Sequence, residues 1–266
     1  MHWDCHVHIF GARAQFPLAS TRGYVPPLRP LGQVEEAALG AGIAHLVLVQ
    51  PSVYGTDNFC LLEALRASGG RHRGVVVLDP AVPEAELRNL HQVGVRGVRF
   101  DLVSADGNGL DGFERIARMI EPLGWHMQFL APPEALRQIL ELRGHTSAPF
   151  VLEHFGGITA DHGERSEAAG VLQKLLVRDD CWVKLSGFYR LSEKPGWDDL
   201  DSLLIQLATI APERTVWGSD WPHSWFFPGA RGAAPAYADT LAPLNRCLPA
   251  EMRERVLQDN PWRLYL

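Results

Sequence analysis

Short apolar runs alternate with longer amphipathic segments along the chain. Most of the runs are five or six residues long and continuously apolar, which is typical of parallel strands that are buried on both faces. They predict eight strands, at residues 4–10, 45–50, 74–79, 95–100, 126–130, 150–154, 182–186 and 215–219. The intervening segments have helical spacing, with proline in a first turn or glycine after a last turn. They predict helices at residues 31–42, 57–68, 83–93, 111–123, 133–144, 164–178, 198–210 and 251–259.

A strand followed by a helix, repeated eight times, predicts a (β/α)8 TIM barrel of the α/β class. The chain has 266 residues, close to the usual size of that fold, which is about 250 residues. No linker rich in glycine, serine or charge divides it, so we expect a single domain over residues 1–266. An open, doubly wound sheet is the alternative, but no GxGxxG turn follows the first strand.

Composition and charge narrow the range of partners. Hydrophobic residues make up 46% of the chain and charged residues 21%, as in a globular protein with a sizeable core. The net charge of −6 and the lack of a basic stripe argue against nucleic acid as a partner. The four cysteines form no CxxC pair, which argues against a zinc knuckle or a redox motif. We see no leader segment and no membrane-length apolar run, so we expect a cytoplasmic protein without a membrane partner.

Two histidines stand on the first predicted strand. His6 and His8 alternate with the apolar residues Cys5, Val7 and Ile9. Side chains two positions apart on a strand share a face, so the two imidazoles should lie about 7 Å apart along it. Imidazoles are costly to desolvate unless something uses them. The pair therefore indicates a site at the end of this strand; the alternative is a surface strand with two solvated histidines.

Other polar residues close the later strands. In a TIM barrel the carboxyl ends of the strands and the loops that follow them build the active site. Two long loops, at residues 11–30 and 221–237, are rich in proline or aromatic residues and should form walls there. A lone arginine is usually a solvated charge and a lone histidine a satisfied core residue, but here each candidate ends or follows a separate strand. The candidates are His6, His8, Arg99, Gln128, His154, Ser186 and Asp220, with Ser52, Thr56, Arg190 and His223 from loops.

Five motifs in this order resemble those of a known family, the amidohydrolase superfamily. Within it they are similar to the branch of 2-pyrone-4,6-dicarboxylate lactonase, which also holds sugar-lactone hydrolases and isomerases. The motifs extend over most of the predicted barrel. They are DCHVHIFG at 4–11, VQPSVYGTDN at 49–58, GVRGVRF at 94–100, EHFGG at 153–157 and WGSDWPH at 217–223.

The resemblance implies a catalytic set for lactone hydrolysis. Asp220 matches the aspartate that takes a proton from water, and the hydroxide then attacks the lactone carbonyl. His6, His8 and His154 match the histidines that polarise this carbonyl. A carboxylate that faces three imidazoles is suited to this chemistry, because it accepts a proton while they offer donors to the developing charge.

The resemblance also implies a substrate-binding set. Arg99 and Arg190 match arginines that bind substrate carboxylates, a task that suits the planar guanidinium group. Ser52, Thr56 and His223 match further substrate contacts, and Gln128 completes the predicted set. The expected partner is a small lactone or carboxylate, and a homo-oligomer is possible.

Two positions depart from the family pattern. The lactonase has a second arginine six residues after the one that matches Arg99, and this chain has Ala105 there. This predicts a substrate with one carboxylate, or a neutral polyhydroxy lactone, in preference to the pyrone dicarboxylate, unless Arg13 or Arg22 takes over the role. The wider superfamily also places a metal-binding histidine on the fifth strand, where this chain has Gln128. That favours catalysis without a metal, although His6, His8 and Asp220 could hold one zinc ion.

Three alternatives remain open at this point. The first is a metal-dependent hydrolase or decarboxylase of the same superfamily, and the second is a sugar-lactone isomerase that uses the same acid and base groups. The third is a non-catalytic protein that binds acidic small molecules through Arg99 and Arg190. Asp220 and the histidines speak against the third, because binding an anion needs no carboxylate beside it.

Overall fold

Eight parallel strands form a barrel in the computed structural model, which describes residues 1–104, 107–227 and 232–266. They are β1 (His2–Val7), β2 (Ile43–Val49), β3 (Arg73–Val76), β4 (Val95–Asp101), β5 (His126–Leu130), β6 (Phe150–Leu152), β7 (Cys181–Leu185) and β8 (Thr215–Trp217). Each strand is hydrogen-bonded to the next one in the chain, in the order β1 to β8. The predicted TIM-barrel fold is confirmed.

Helices follow the strands as predicted, with three additions. The described residues form α1 (Leu31–Gly40), α2 (Phe59–Ala67), α3 (Glu84–Val93), α4 (Phe113–Ile120), α5 (Leu136–Leu142), α6 (Glu167–Leu176), α7 (Phe188–Leu191), α8 (Asp201–Ile210), α9 (Ala242–Cys247), α10 (Ala250–Glu254) and α11 (Asn260–Tyr265). The sequence analysis missed α7, α9 and α11, because helices of four to six residues are too short to show a period. None of the helices in the described parts of the chain is long and apolar enough to cross a membrane.

Apolar side chains pack in two layers, as the runs of buried residues require. A large cluster fills the space between the strands and the surrounding helices. A smaller cluster lies inside the barrel and includes Val47, Val49, Val75, Val151 and Val216. Since side chains alternate along a strand, the next inward positions towards the carboxyl ends are Glu153 after Val151 and Lys184 after Trp182. The upper part of the interior is therefore charged, directly above an apolar base.

The first and last strands meet at a seam that is closed by a few bonds rather than a full ladder. The amide of Asp220 donates to the carbonyl of His6 over 2.9 Å, and the amide of His8 donates to the carbonyl of Trp221 over 2.7 Å. These bonds lie at the carboxyl ends of β1 and β8. They place the first and last sequence motifs side by side.

The carboxylate of Asp4 stabilises the same seam from within the barrel wall. Its Oδ1 accepts from the amides of His6 and Ser219, each over 3.0 Å. Its Oδ2 accepts from the hydroxyls of Ser219 and Tyr237. One buried side chain on β1 thus satisfies four donors, two of them from Ser219 just after β8.

We expect Asp4→Ala to lower the free energy of unfolding by about 2–4 kcal/mol, because it leaves buried donors without an acceptor. Asp4→Asn keeps an oxygen for the two amides and should cost less than half as much. Urea denaturation of the native protein and the two variants measures both effects. If Asp4→Ala unfolds at the same urea concentration as the native protein, the carboxylate does not stabilise the seam.

Candidate active site

Asp220 lies just after β8 and is fully buried. Its Oδ2 accepts hydrogen bonds from Nε of Arg190 over 2.6 Å and from the hydroxyl of Tyr189 over 2.5 Å. Its Oδ1 has no hydrogen-bond partner among the described residues. Burial alone would raise the pKa of Asp220, but the charge of Arg190 outweighs burial and holds this pKa well below its ordinary value. Asp220 is therefore an ionised carboxylate, in which Oδ2 is held by two hydrogen bonds and Oδ1 accepts none from the described residues.

Three imidazoles surround this carboxylate. Nε2 of His6 and Nε2 of His8 lie 3.7 and 3.5 Å from Oδ1 of Asp220, and Nε2 of His154 lies 3.8 Å from Oδ2. Burial lowers the pKa of His6 well below its ordinary value and that of His154 to about 4. His6 and His154 are consequently neutral near pH 7 and leave the charge of Asp220 uncompensated on their side.

A hydrogen bond at Nδ1 orients the rings of His8 and His154. Nδ1 of His8 lies 2.8 Å from the carbonyl oxygen of Val49, to which it can only donate. Nδ1 of His154 lies 2.8 Å from the hydroxyl of Ser186. If this hydroxyl donates, Nε2 of His154 carries the proton and is a donor towards the site. Ser186, which follows β7, thus supports His154.

Backbone conformation explains how neighbouring residues reach the same site. His154 has a φ of 48° and Asp220 a φ of 59°, in the left-handed region that is uncommon for residues with a side chain. The turn at His154 ends the alternation of β6. As a result Glu153 and His154, although adjacent, both point inwards, with Oε2 of Glu153 3.7 Å from Nε2 of His154.

Arg99 is held by a buried ion pair. Its Nε and Nη2 donate to the two oxygens of Glu153 over 2.7 and 2.9 Å, and Gln128 donates to the same carboxylate over 2.6 Å. Burial would raise the pKa of Glu153, but Arg99 holds it well below its ordinary value. The remaining amino group of Arg99, Nη1, lies 3.3 Å from the carbonyl oxygen of Gln50 and 3.5 Å from Oδ2 of Asp101. The edge of the guanidinium group formed by Nε and Nη2 is thus taken up by Glu153, and only the edge at Nη1 faces other groups.

A cavity of about 500 Å³ opens above these residues at the carboxyl ends of the strands. Five predicted site residues line it, namely His8, Ser52, Arg99, His154 and Arg190. Tyr24 from the loop after β1, and Trp225 and Phe227 from the loop after β8, contribute to its wall, as expected for those two loops. The space is large enough for a small ring compound with several substituents.

Other predicted residues lie behind the cavity wall or away from it. His6 and Asp220 are buried beneath His8 and His154, and Gln128 is buried beside Glu153. His223 is buried with its ring 5.2 Å from that of Tyr189, and neither of its ring nitrogens has a hydrogen-bond partner in the described part of the chain.

Thr56 is separated from the other predicted residues. It is exposed and lines a different surface depression with Asp57 and Phe59. The short 3-10 helix Ser52–Tyr54 and the left-handed Gly55 turn the chain, so that Ser52 faces the cavity and Thr56 faces solvent. Ala105 lies outside the described residues.

Sequence reasoning missed three residues that the structure brings into the site, Glu153, Tyr189 and Asp101. Each stands beside or two positions from a predicted residue: Glu153 before His154, Tyr189 before Arg190, and Asp101 two residues after Arg99 on β4. The period of a strand could have indicated Asp101, because it shares a face with Arg99. The same alternation puts Glu153 on the inward face after Val151, although the predicted residue is His154 beside it. Tyr189 depends on the short helix after β7, for which the sequence gives no direct signal.

The donor atoms around Asp220 have spacings that fit a metal ion. Atoms of His6, His154 and Asp220 lie within 4.8 Å of one another. In the set predicted from sequence, Nε2 of His6 and Nε2 of His8 are 3.3 Å apart, and both are within 3.7 Å of Oδ1 of Asp220. Tetrahedral zinc ligands at about 2.0–2.2 Å from the ion have separations of roughly 3.3–3.6 Å. Against this, the guanidinium group of Arg190 already neutralises Asp220.

A protein-family model described as Amidohydrolase matches residues 3–266. The chain belongs to the amidohydrolase family. It is 36% identical over 268 residues to 4-sulfomuconolactone hydrolase of Rhizobium radiobacter. The match covers 99% of this chain and 89% of that protein. It is 31% identical to 2-pyrone-4,6-dicarboxylate hydrolase of Comamonas testosteroni, over 98% of this chain and 89% of that protein.

Solved amidohydrolase structures agree with this assignment. The crystal structure of a probable 2-pyrone-4,6-dicarboxylic acid hydrolase from Acinetobacter baumannii, with citric acid bound, matches with a TM-score of 0.85 and 28% identity. The match covers 99% of this chain and 98% of that one. The family and branch that the sequence motifs predict are thereby confirmed.

We expect Glu153→Gln to lower the free energy of unfolding of this amidohydrolase by about 3 kcal/mol, because it leaves the buried cation of Arg99 without its main counter-charge. Glu63→Gln is the matched control, since it removes a carboxylate that pairs with Arg66 over 2.7 Å at the exposed surface. Solvent screens that pair, so the control should change stability little. Urea denaturation of both variants makes the comparison, and equal midpoints would contradict the expected effect.

Proposed function

We propose that this amidohydrolase hydrolyses a lactone by attack of a water molecule that Asp220 activates. The observation that carries the proposal is the asymmetry of this carboxylate. Its Oδ2 is held by Arg190 and Tyr189, while Oδ1 is buried without a partner among the described residues, between the imidazoles of His6 and His8. An oxygen in that position is suited to accept a proton from water. The lactone hydrolases among the relatives support the same reaction.

In the proposed reaction a water molecule gives a proton to Oδ1 of Asp220, and its oxygen attacks the carbonyl carbon of the ring ester. The carbonyl oxygen becomes an oxyanion, to which Nε2–H of His154 donates a hydrogen bond. The bond between that carbon and the ring oxygen then breaks. The ring oxygen takes the proton from Asp220, which regenerates the carboxylate and yields an open-chain hydroxy acid.

Arg190 has two roles in this proposal. It keeps Asp220 ionised, and it lies in the wall of the cavity, where it can bind a carboxylate on the substrate. A substrate carboxylate at Arg190 would share the positive charge that now faces Asp220. Asp220 would then become a stronger base once the substrate is bound, because a neighbouring cation is what lowers its pKa.

A divalent cation, where one is bound, would be held by His6 and Asp220 with His8 or His154, and it would supply Lewis-acid polarisation of the carbonyl or of water. The charge of Arg190 beside Asp220 and the presence of Gln128 on β5 favour the reaction without it. The residues of the chain itself provide the base and the oxyanion donor in the proposed steps.

We expect Asp220→Asn to lower kcat by at least about a hundredfold, because the amide cannot accept the proton. The assay is a lactone panel that contains 2-pyrone-4,6-dicarboxylate, muconolactone and galactono-1,4-lactone, read by NMR. Calorimetry of the variant with the best substrate of this panel should show that binding is retained. A variant with activity within tenfold of the native protein would exclude Asp220 as the base.

We expect the purified protein to carry well under one metal ion per chain and to keep its activity after exhaustive chelation. Metal analysis by mass spectrometry and the same lactone assay, before and after chelation, measure the two quantities. One tightly bound zinc ion per chain, with activity that is lost on its removal and restored on its return, would show that the enzyme depends on a metal.

A further inference from the structure

Arg99 lines the cavity, but most of its charge is already used. Glu153 binds it through two hydrogen bonds of 2.7 and 2.9 Å, and Oδ2 of Asp101 lies 3.5 Å from the remaining amino group. Two carboxylates therefore face one guanidinium group. An arginine that is to bind a substrate carboxylate needs a charge that no protein carboxylate already neutralises. Arg99 does not meet this condition.

The other charged side chains described at the cavity and directly beneath it also leave little free positive charge for a substrate. The cations are Arg99 and Arg190, and the carboxylates are Asp101, Glu153 and Asp220. These three carboxylates stand against the two guanidinium groups that line the cavity; Lys184, in the layer beneath, donates to the carbonyl of Cys5 and is not among the residues that line it. A substrate with two anionic groups would enter a site with no spare cation for the second group.

Asp101 is built into the wall in a fixed orientation. It ends β4, is 3% exposed and lines the cavity. Its Oδ1 accepts from the amides of Val103 and Ser104 over 3.0 and 2.8 Å, and its own amide donates to the side chain of Asn108 over 2.8 Å. The orientation fixes which oxygen faces Arg99: it is Oδ2, which also accepts from the hydroxyl of Ser104.

An acceptor and a donor thus lie side by side at this wall. Oδ2 of Asp101 accepts, and Nη1 of Arg99 donates, 3.5 Å away. A hydroxyl group is the substituent that suits such a pair, since its oxygen can accept from Nη1 while its hydrogen is donated to Oδ2. A hydroxyl oxygen about 2.8 Å from both atoms satisfies ordinary hydrogen-bond lengths. A carboxylate at the same place would meet Asp101 with like charge.

We propose that Asp101 determines substrate specificity: with Arg99 it binds a hydroxyl group of the lactone and selects hydroxylated lactones with at most one anionic group. This rests on the proposed lactone hydrolysis and names the substrate class of that site. Where such a substrate carries one carboxylate, this group belongs at Arg190, at the other side of the cavity. Lactones with two anionic groups are poor substrates.

The substitution that tests Asp101 follows from its hydrogen bonds. In Asp101→Asn the amide oxygen stays with the two backbone amides, and the amide nitrogen takes the place of Oδ2. Arg99 and the new side chain then both present donors, an arrangement that suits an anion and no longer accepts from a hydroxyl. Because the change is nearly isosteric, the Ser104 hydroxyl can reverse its bond and accept from the new nitrogen.

The experiment measures kcat/KM for three lactones with the native protein, Asp101→Asn and Asp161→Asn. The lactones are galactono-1,4-lactone (neutral and hydroxylated), galactarolactone (hydroxylated, one carboxylate) and 2-pyrone-4,6-dicarboxylate (two carboxylates, no hydroxyl). Asp161 is exposed and is not among the residues that line the cavity, so its variant makes the same change in net charge away from the site.

We expect the native protein to prefer the two hydroxylated lactones. Asp101→Asn should shift the ratio of kcat/KM between the dicarboxylate and galactarolactone towards the dicarboxylate by at least about tenfold, the size of one charge-assisted hydrogen bond gained or lost. Asp161→Asn should leave the ratio within twofold of the native value.

Two results would overturn the inference and leave lactone hydrolysis standing. One is a native protein that hydrolyses the dicarboxylate best; the other is a folded Asp101→Asn variant with an unchanged ratio. The first result is measured on the native protein alone. It therefore tests the inferred substrate class even if Asp101→Asn fails to fold. A native protein that hydrolyses none of these lactones would contradict the proposed function itself.

Discussion

Closure of the barrel between β1 and β8 is the constraint on which the site depends. The backbone bonds between His6 and Asp220 and between His8 and Trp221 are part of the wall, and they also set Asp220, the proposed base, beside two imidazoles. The most distant motifs in the sequence become neighbours because a parallel sheet that closes must return to its first strand. The same bonds that complete the fold therefore assemble the chemistry.

Charge is distributed in layers inside the barrel. Valine side chains fill the base, and Arg99, Gln128 and Glu153 form a bonded group above it. That group holds part of the cavity floor rigid, since each of its members is buried and bonded to another. Lys184, which donates to the carbonyl of Cys5 and whose pKa burial lowers to about 8, stands in the same layer. The floor is thus a structural element from which Nη1 of Arg99 reaches the cavity beside Asp101, while Arg190 and the loops remain available to meet a substrate.

The sequence predicts the strands and most of the helices well, because continuous apolar runs and helix-end residues are local signals. It also places His8, His154 and Arg190 at a common site. It does not show that Arg99 is already paired, because the left-handed turn at His154 brings both Glu153 and His154 to the inside, whereas a strand period allows only one of two neighbours there. It places Thr56 with Ser52, although Gly55 turns the chain between them. Contacts that depend on one backbone dihedral angle leave no periodic trace in the sequence.

Three polar residues of the site, His154, Asp220 and His223, have left-handed backbones, with φ of 48°, 59° and 63°. Such conformations cost on the order of 1 kcal/mol or more for residues with a side chain, and interactions elsewhere must offset that cost. Function and thermodynamic stability therefore compete at these positions. In a lineage released from selection for activity, we would expect glycine or asparagine to appear there early, because both tolerate this backbone and the chain would lose strain together with its chemistry.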